Sequence, residues 1–205
     1  MIKGYKEMTL DMYFQITEIL ETDLELIDKE VAIIAIMDNK TQDEVLNMEL
    51  MDFNNRVNAL AFLTTQPQRF MPDMKYKIDG QTFEVMASTD EMTVAQYVDY
   101  NAYLQMEDER EKILGFLSVF MIPKGKKYGE YKMDEVKEKL MKMNVEDVYA
   151  LSAFFLEWSK ALTKTTQTYL MKKMRKMIKK EKNPQTRQQM MEALEHLQET
   201  GDILP

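Results

Sequence analysis

The sequence predicts a mainly α fold, a helical bundle carrying one small β-hairpin insertion and a long basic C-terminal helix. Three observations predict it. Apolar residues recur at helical spacing over most of the chain. One stretch, Tyr76 to Val85, instead alternates apolar and polar residues on both sides of Asp79-Gly80. A helical pattern then starts near Val145, turns strongly basic, and runs to about Lys182 before Asn183-Pro184 interrupts it. At 205 residues the chain is long enough for one sizeable core. The expected division is a helical core domain over 1–163, with the hairpin at about 75–86, and a basic helical extension over 164–205.

In chain order, Thr9 is the N-cap of a first helix reaching Leu20, with Met12, Ile16, Ile19 and Leu20 on its buried side. A second helix covers Leu24 to Met37, where Leu24, Ile27, Val31, Ile34 and Ala35 repeat and Asp38-Asn39 ends the run. Thr41 and Glu44 have the spacing of a capping box and open a third helix. Its apolar positions, Val45 through Leu63, require a break near Met48 to Leu50. After the hairpin, Thr93 caps a segment to Leu104 that buries Val94, Tyr97, Val98 and Tyr100. Glu107 to Glu111 opens the next helix, where acids suit the positive end of the dipole. That helix is almost wholly apolar from Ile113 to Ile122, is the expected central core helix, and is stopped by Pro123. A polar helix near Met133 to Met143 precedes the long one, whose apolar start includes Val148, Leu151, Phe154, Phe155, Trp158 and Leu162. A last short helix begins at Pro184 and ends at Gly201.

Composition excludes several kinds of chemistry. The chain has no cysteine, which removes disulfides, thiolate nucleophiles and thiolate metal sites. His196 is its one histidine, and a metal site would need several ligands at spacings such as His-x-x-x-His. No Gly-x-Ser-x-Gly occurs, and Lys124-Gly125-Lys126-Lys127 lacks the order of a phosphate-binding loop, so a solvated turn is its reading. No catalytic residue, metal or cofactor is expected. The longest apolar stretch is about half of the roughly 20 residues that span a bilayer, and the N-terminus has no apolar core of the signal-peptide kind. Neither membrane insertion nor standard secretion is expected.

What remains points to contacts with other macromolecules. The net charge of −8 is unevenly spread, with residues 1–65 rich in acids and 164–205 rich in bases. Such a charge dipole suits head-to-tail association or an oppositely charged partner, and internal pairing of the two ends is the plainer account. Twenty methionines reflect either codon usage or an adaptable surface. Lys172, Lys173, Arg175, Lys176, Lys179 and Lys180 form the strongest patch and are candidate partner-binding residues. A solvated basic face is the simplest reading of them, with nucleic-acid binding as the alternative. A lone hairpin is marginal in water, so Tyr76, Ile78, Asp79, Gly80 and Phe83 must lie on the helices or meet a partner's sheet, which makes them a second candidate interface.

Three segments carry a family resemblance. They are the hairpin Tyr76-Lys77-Ile78-Asp79-Gly80-Gln81-Thr82-Phe83, the segment Met92-Thr93-Val94-Ala95-Gln96-Tyr97-Val98-Asp99, and Ile122-Pro123-Lys124-Gly125-Lys126-Lys127-Tyr128-Gly129 followed by the aromatic helix Ala150 to Leu156. In this order, over about residues 74–163, the chain resembles tailed-bacteriophage morphogenesis proteins, a group that includes tail-assembly-chaperone-like proteins. Ala95 departs from the glycine usual at its place. The resemblance implies a nonenzymatic phage protein found in the virion, or in the host cytoplasm during assembly. Its implied partners are other phage structural or assembly proteins, with a homo-oligomer expected and nucleic acid possible through the basic helix.

Overall fold

The computed structural model describes residues 2–68, 70–86, 88 and 91–180, together with 186, 188, 191, 192 and 194. It is mainly α with one small antiparallel sheet, as the sequence predicts. Contacts divide the chain into two compact units, residues 1–154 and 155–205. Among the described residues no helix is long and apolar enough to cross a membrane.

Helix α1 spans Leu10–Glu21, with the Thr9 hydroxyl accepting from the Met12 N–H at 3.2 Å. It buries Leu10, Phe14 and Ile16, while Leu20 is exposed. Met12 and Ile19 are partly buried against the cluster that holds Ile16, so of the expected buried side only Leu20 turns outward. Backbone bonds from Leu10 N–H to Met143 C=O and from Val145 N–H to Met8 C=O pin the start of α1 against the 141–145 turn.

Helix α2 spans Leu26–Asp38 and ends at Asn39, whose φ of 52° is a left-handed conformation that asparagine tolerates. Helix α3, Gln42–Leu46, opens with the expected box. Glu44 N–H donates to the Thr41 hydroxyl at 3.2 Å, and Thr41 N–H donates to the Glu44 carboxylate at 2.7 Å. The expected break follows, and α4, Leu50–Ala59, runs into a 3-10 turn over Leu60–Thr64. An ion pair of 2.6 Å between Arg56 and the nearly buried Asp38 ties α4 to the end of α2.

Strands β1, Lys75–Ile78, and β2, Gln81–Val85, form the predicted hairpin, with Ile78 opposite Gln81 and Tyr76 opposite Phe83. Asp79 and Gly80 have φ of 47° and 78°, the two positive values that a two-residue turn of this hand requires. The hairpin's pairing partner comes from its own chain. Strand β3, Met121–Pro123, adds to β2 with Val85 opposite Met121 and Phe83 opposite Pro123. The sequence pattern places Met121 and Ile122 in the preceding helix, and pairing with β2 overrides it. Pro123 has no N–H to offer a further strand.

Helix α5 spans Val94–Leu104, and α6, Glu109–Phe120, is the core helix, burying Leu114, Gly115, Leu117, Ser118, Val119 and Phe120. Gly115 is required by close approach, since a Cβ there would lie 2.0 Å from the Tyr103 ring of α5. Tyr100, Phe116 and Phe120 pack as an aromatic trio, with centroids 5.2 to 5.7 Å apart. Helix α7, Met133–Leu140, is joined to α6 by a 2.7 Å pair between Lys137 and Glu111. Helix α8 spans Val145–Lys180 and buries Val145, Val148, Ala150 and Leu151 near its start. The side chains of Trp158 and Leu162 lie outside the described residues. The expected last helix is described only at 186, 188, 191, 192 and 194, and His196 lies outside the described residues.

Candidate functional site

One cleft of about 670 Å³ is lined by residues of two of the segments that carry the resemblance, 92–99 and 122–129, and by hairpin residues that flank the third. Its walls include Lys75 and Glu84 of the hairpin, Thr93 and Gln96 at the start of α5, and Ile122 and Tyr128 after α6. Gln96 holds them in place. Its side-chain carbonyl accepts from the Thr93 N–H at 3.0 Å, and its amide donates to the Val119 C=O at 3.1 Å, so this buried side chain caps α5 and fixes the end of α6. Lys75 and Glu84 face each other across β1 and β2 at 3.2 Å. The Tyr128 hydroxyl donates to Asp99 at 2.6 Å; burial first, and this bond second, push its pKa up. Tyr131 packs edge-on to Tyr128, and burial pushes its pKa up to about 12. The cleft thus offers the apolar side chains of Val85, Met86 and Ile122, a cross-strand ion pair and the Tyr128 hydroxyl, which keeps its proton. No group of three or more acids or histidines among the described residues is placed to hold a metal ion.

The structure divides the hairpin residues singled out from the sequence. Tyr76, Ile78 and Phe83 are buried in the chain's own core, and the Tyr76 hydroxyl accepts from the Asp73 N–H at 3.0 Å. Burial pushes the Tyr76 pKa up to about 12. Asp79 and Gly80 stay exposed at the tip, where Lys142 donates to Asp79 at 2.7 Å and lowers its pKa. The apolar hairpin residues are therefore occupied within the chain.

The basic residues differ. Lys172, Arg175, Lys176 and Lys179 are exposed, and their spacing in α8 puts them on one helix face. Lys173 and Lys180 lie in the same helix, with side chains outside the described residues. Ile178, between them in sequence, is buried.

Two surfaces went unpredicted. On α2 to α4, Leu26, Leu46, Leu50 and Met51 are each about 70% exposed, respectively 73%, 67%, 73% and 69%. Beside them a groove of about 200 Å³ is lined by Ile27, Val31, Val45, Leu46, Met48 and Phe53, among other residues. Exposed acids Glu25, Asp28, Asp43, Glu49 and Asp52 stand on the same helices and their caps. The signal was in the sequence, because Leu26, Leu46, Leu50 and Met51 are apolar residues beyond those needed to line one buried face. On α5 the expected buried side is outward instead. Val94, Tyr97 and Val98 are exposed, and the buried residues are Gln96 and Tyr100.

Comparison of this chain with models of protein families, with curated proteins and with solved structures gave no match.

Proposed function

We propose that the chain is a nonenzymatic bacteriophage structural or assembly protein, a virion component of the tail, the neck or the packaged cargo that acts through protein–protein contacts. The observation that carries this reading is the amount of large apolar surface left in solvent on regular helices. Isolated exposed leucines need no explanation, but Leu46 and Leu50, both exposed, line one groove with Ile27, Met48 and Phe53, and apolar residues gathered in this way mark a contact surface.

Mass spectrometry of purified particles tests it. The chain is expected in mature virions at a fixed ratio to the other structural proteins. Its absence there, with abundance in infected cells, would overturn the virion component and favour a transient tail-assembly chaperone holding a tape-measure-type client. One observation favours a different reading: the exposed stripe of Lys172, Arg175, Lys176 and Lys179 suits phosphates. A nucleic-acid role predicts binding that falls steeply with salt. Gel-shift titration at low salt, with no shift at any concentration, would exclude it.

A further inference from the structure

We propose that the acid-rimmed apolar groove on α2 to α4 is the receiving surface for the basic stripe of α8 from a second copy of this chain, so that copies associate head to tail. This deepens the assembly reading by naming the surface and its occupant, and it is separable from it. A chain that never self-associates would end this proposal, while particle composition would still decide the virion role.

The receiving surface has a physical reason to be covered. Leu46 and Leu50, both exposed, line a groove with Ile27, Met48 and Phe53 over Val31 and Val45, which are buried. Covering them removes apolar area from water, the main driving force of association. The rim selects the sign of the partner. Glu25 and Glu49 occupy the N-cap positions of α2 and α4, and neither side chain makes a capping bond. With Asp28, Asp43 and Asp52 they give the rim one sign.

The occupant is found in the same sequence. Lys172, Arg175, Lys176 and Lys179 recur three, four and seven residues apart, forming one basic ridge about 10 Å long at a rise of 1.5 Å per residue. Lysine and arginine carry long aliphatic stems beneath their charges, so such a ridge can lie over exposed leucines while its heads reach a carboxylate rim. Opposite potentials steer the encounter and fix its register. The donating and receiving surfaces are different, so the contact is heterologous, and repetition builds a ring or an open filament rather than a closed two-fold dimer.

Sedimentation velocity of the full chain tests this. At low salt the average mass should rise with concentration beyond that of a dimer, and the rise should collapse as salt shortens the reach of charge. Two variants, each checked for native helicity by circular dichroism, divide the contact. Glu25→Lys with Glu49→Lys alters the receiving rim, and Lys172→Glu with Lys176→Glu alters the ridge. Each alone should weaken association about tenfold or more. An equimolar mixture should associate again, because the reversed rim of one meets the reversed ridge of the other. Leu46→Ser with Leu50→Ser should weaken association at low salt, where the unaltered chain associates.

A monomer at every concentration would overturn the proposal. So would association indifferent to both reversals, or loss on altering the rim but not the ridge, which would assign the groove to another occupant. Failure of two folded variants to restore association on mixing would also overturn it.

Discussion

The sheet with α5 and α6, and the acidic helices α2 to α4, are both well supplied with large apolar side chains and place them differently. Around the sheet, Phe83, Leu117, Phe120 and Met121 are fully buried, and even the polar Gln96 is inside with both ends bonded. On α2 to α4, α2 buries an apolar face, but α4 buries none of its residues and leaves Leu50 and Met51 in water. The first region is held by interlocking side chains. The second is held by terminal devices, a capping box and the Arg56 to Asp38 pair, around a smaller cluster of Val31, Ile34, Ala35 and Val45. Apolar content alone does not distinguish a core from a contact surface; the distinction lies in whether the chain itself supplies a cover.

The sharpest way to break this comparison is Phe120→Ala. It removes the ring shared by Tyr100 and Phe116 from a fully buried site, and a loss of about 3–5 kcal/mol is expected in denaturant unfolding. Gly115→Ala should follow at about 1–3 kcal/mol, because the new methyl meets the Tyr103 ring and overpacking outweighs the gain in helix propensity. A stabilised Gly115→Ala protein would show that α5 and α6 are not in close contact.

Alkaline titration probes the same region. Tyr76 and Tyr131 are pushed from an ordinary value of 10.0 to about 12 by burial. The unfolded chain therefore releases these protons first, so their contribution to stability is present below pH 10.0 and is lost as pH rises towards 12. Tyrosinate absorbance should lag behind that of a denatured control over this window. Coincident curves would place both hydroxyls in water.

Smaller effects are expected in the acidic helices. Thr41→Ala removes one half of the capping box and should cost about 1 kcal/mol in thermal unfolding. Leu50→Ser should change monomer stability by no more than about 0.5 kcal/mol, since it exchanges one exposed side chain for another. A large loss there would erase the contrast between the two regions and make Leu50 part of a core.

The sequence was most legible where a feature is local. Thr41 with Glu44, Thr93 capping α5, and Asp79-Gly80 are each written within a few residues, and each is found in place. It was least legible where a distant partner decides. Val94, Tyr97 and Val98 share a helical face that reads as buried, but the inward face of α5 is set by Gln96 reaching Val119 and by Tyr100 joining the aromatic trio. Residues Met121 and Ile122 continue an apolar run whose periodicity cannot separate helix from strand, and their extended form is decided by register against Val85 and Glu84. The candidate site was half legible. The basic ridge follows from composition and spacing, whereas the groove depends on which leucines find no cover, a property of the folded chain.

Pro123 has a bearing on behaviour in crowded conditions. It ends the sheet on one side with a residue that cannot donate to a new strand, while β1 on the other side carries exposed Lys75 and Lys77. Proline and lysine at sheet edges both discourage strand-by-strand growth between molecules, the route to irreversible aggregates. At high concentration the chain is thereby kept from polymerising through its β-structure.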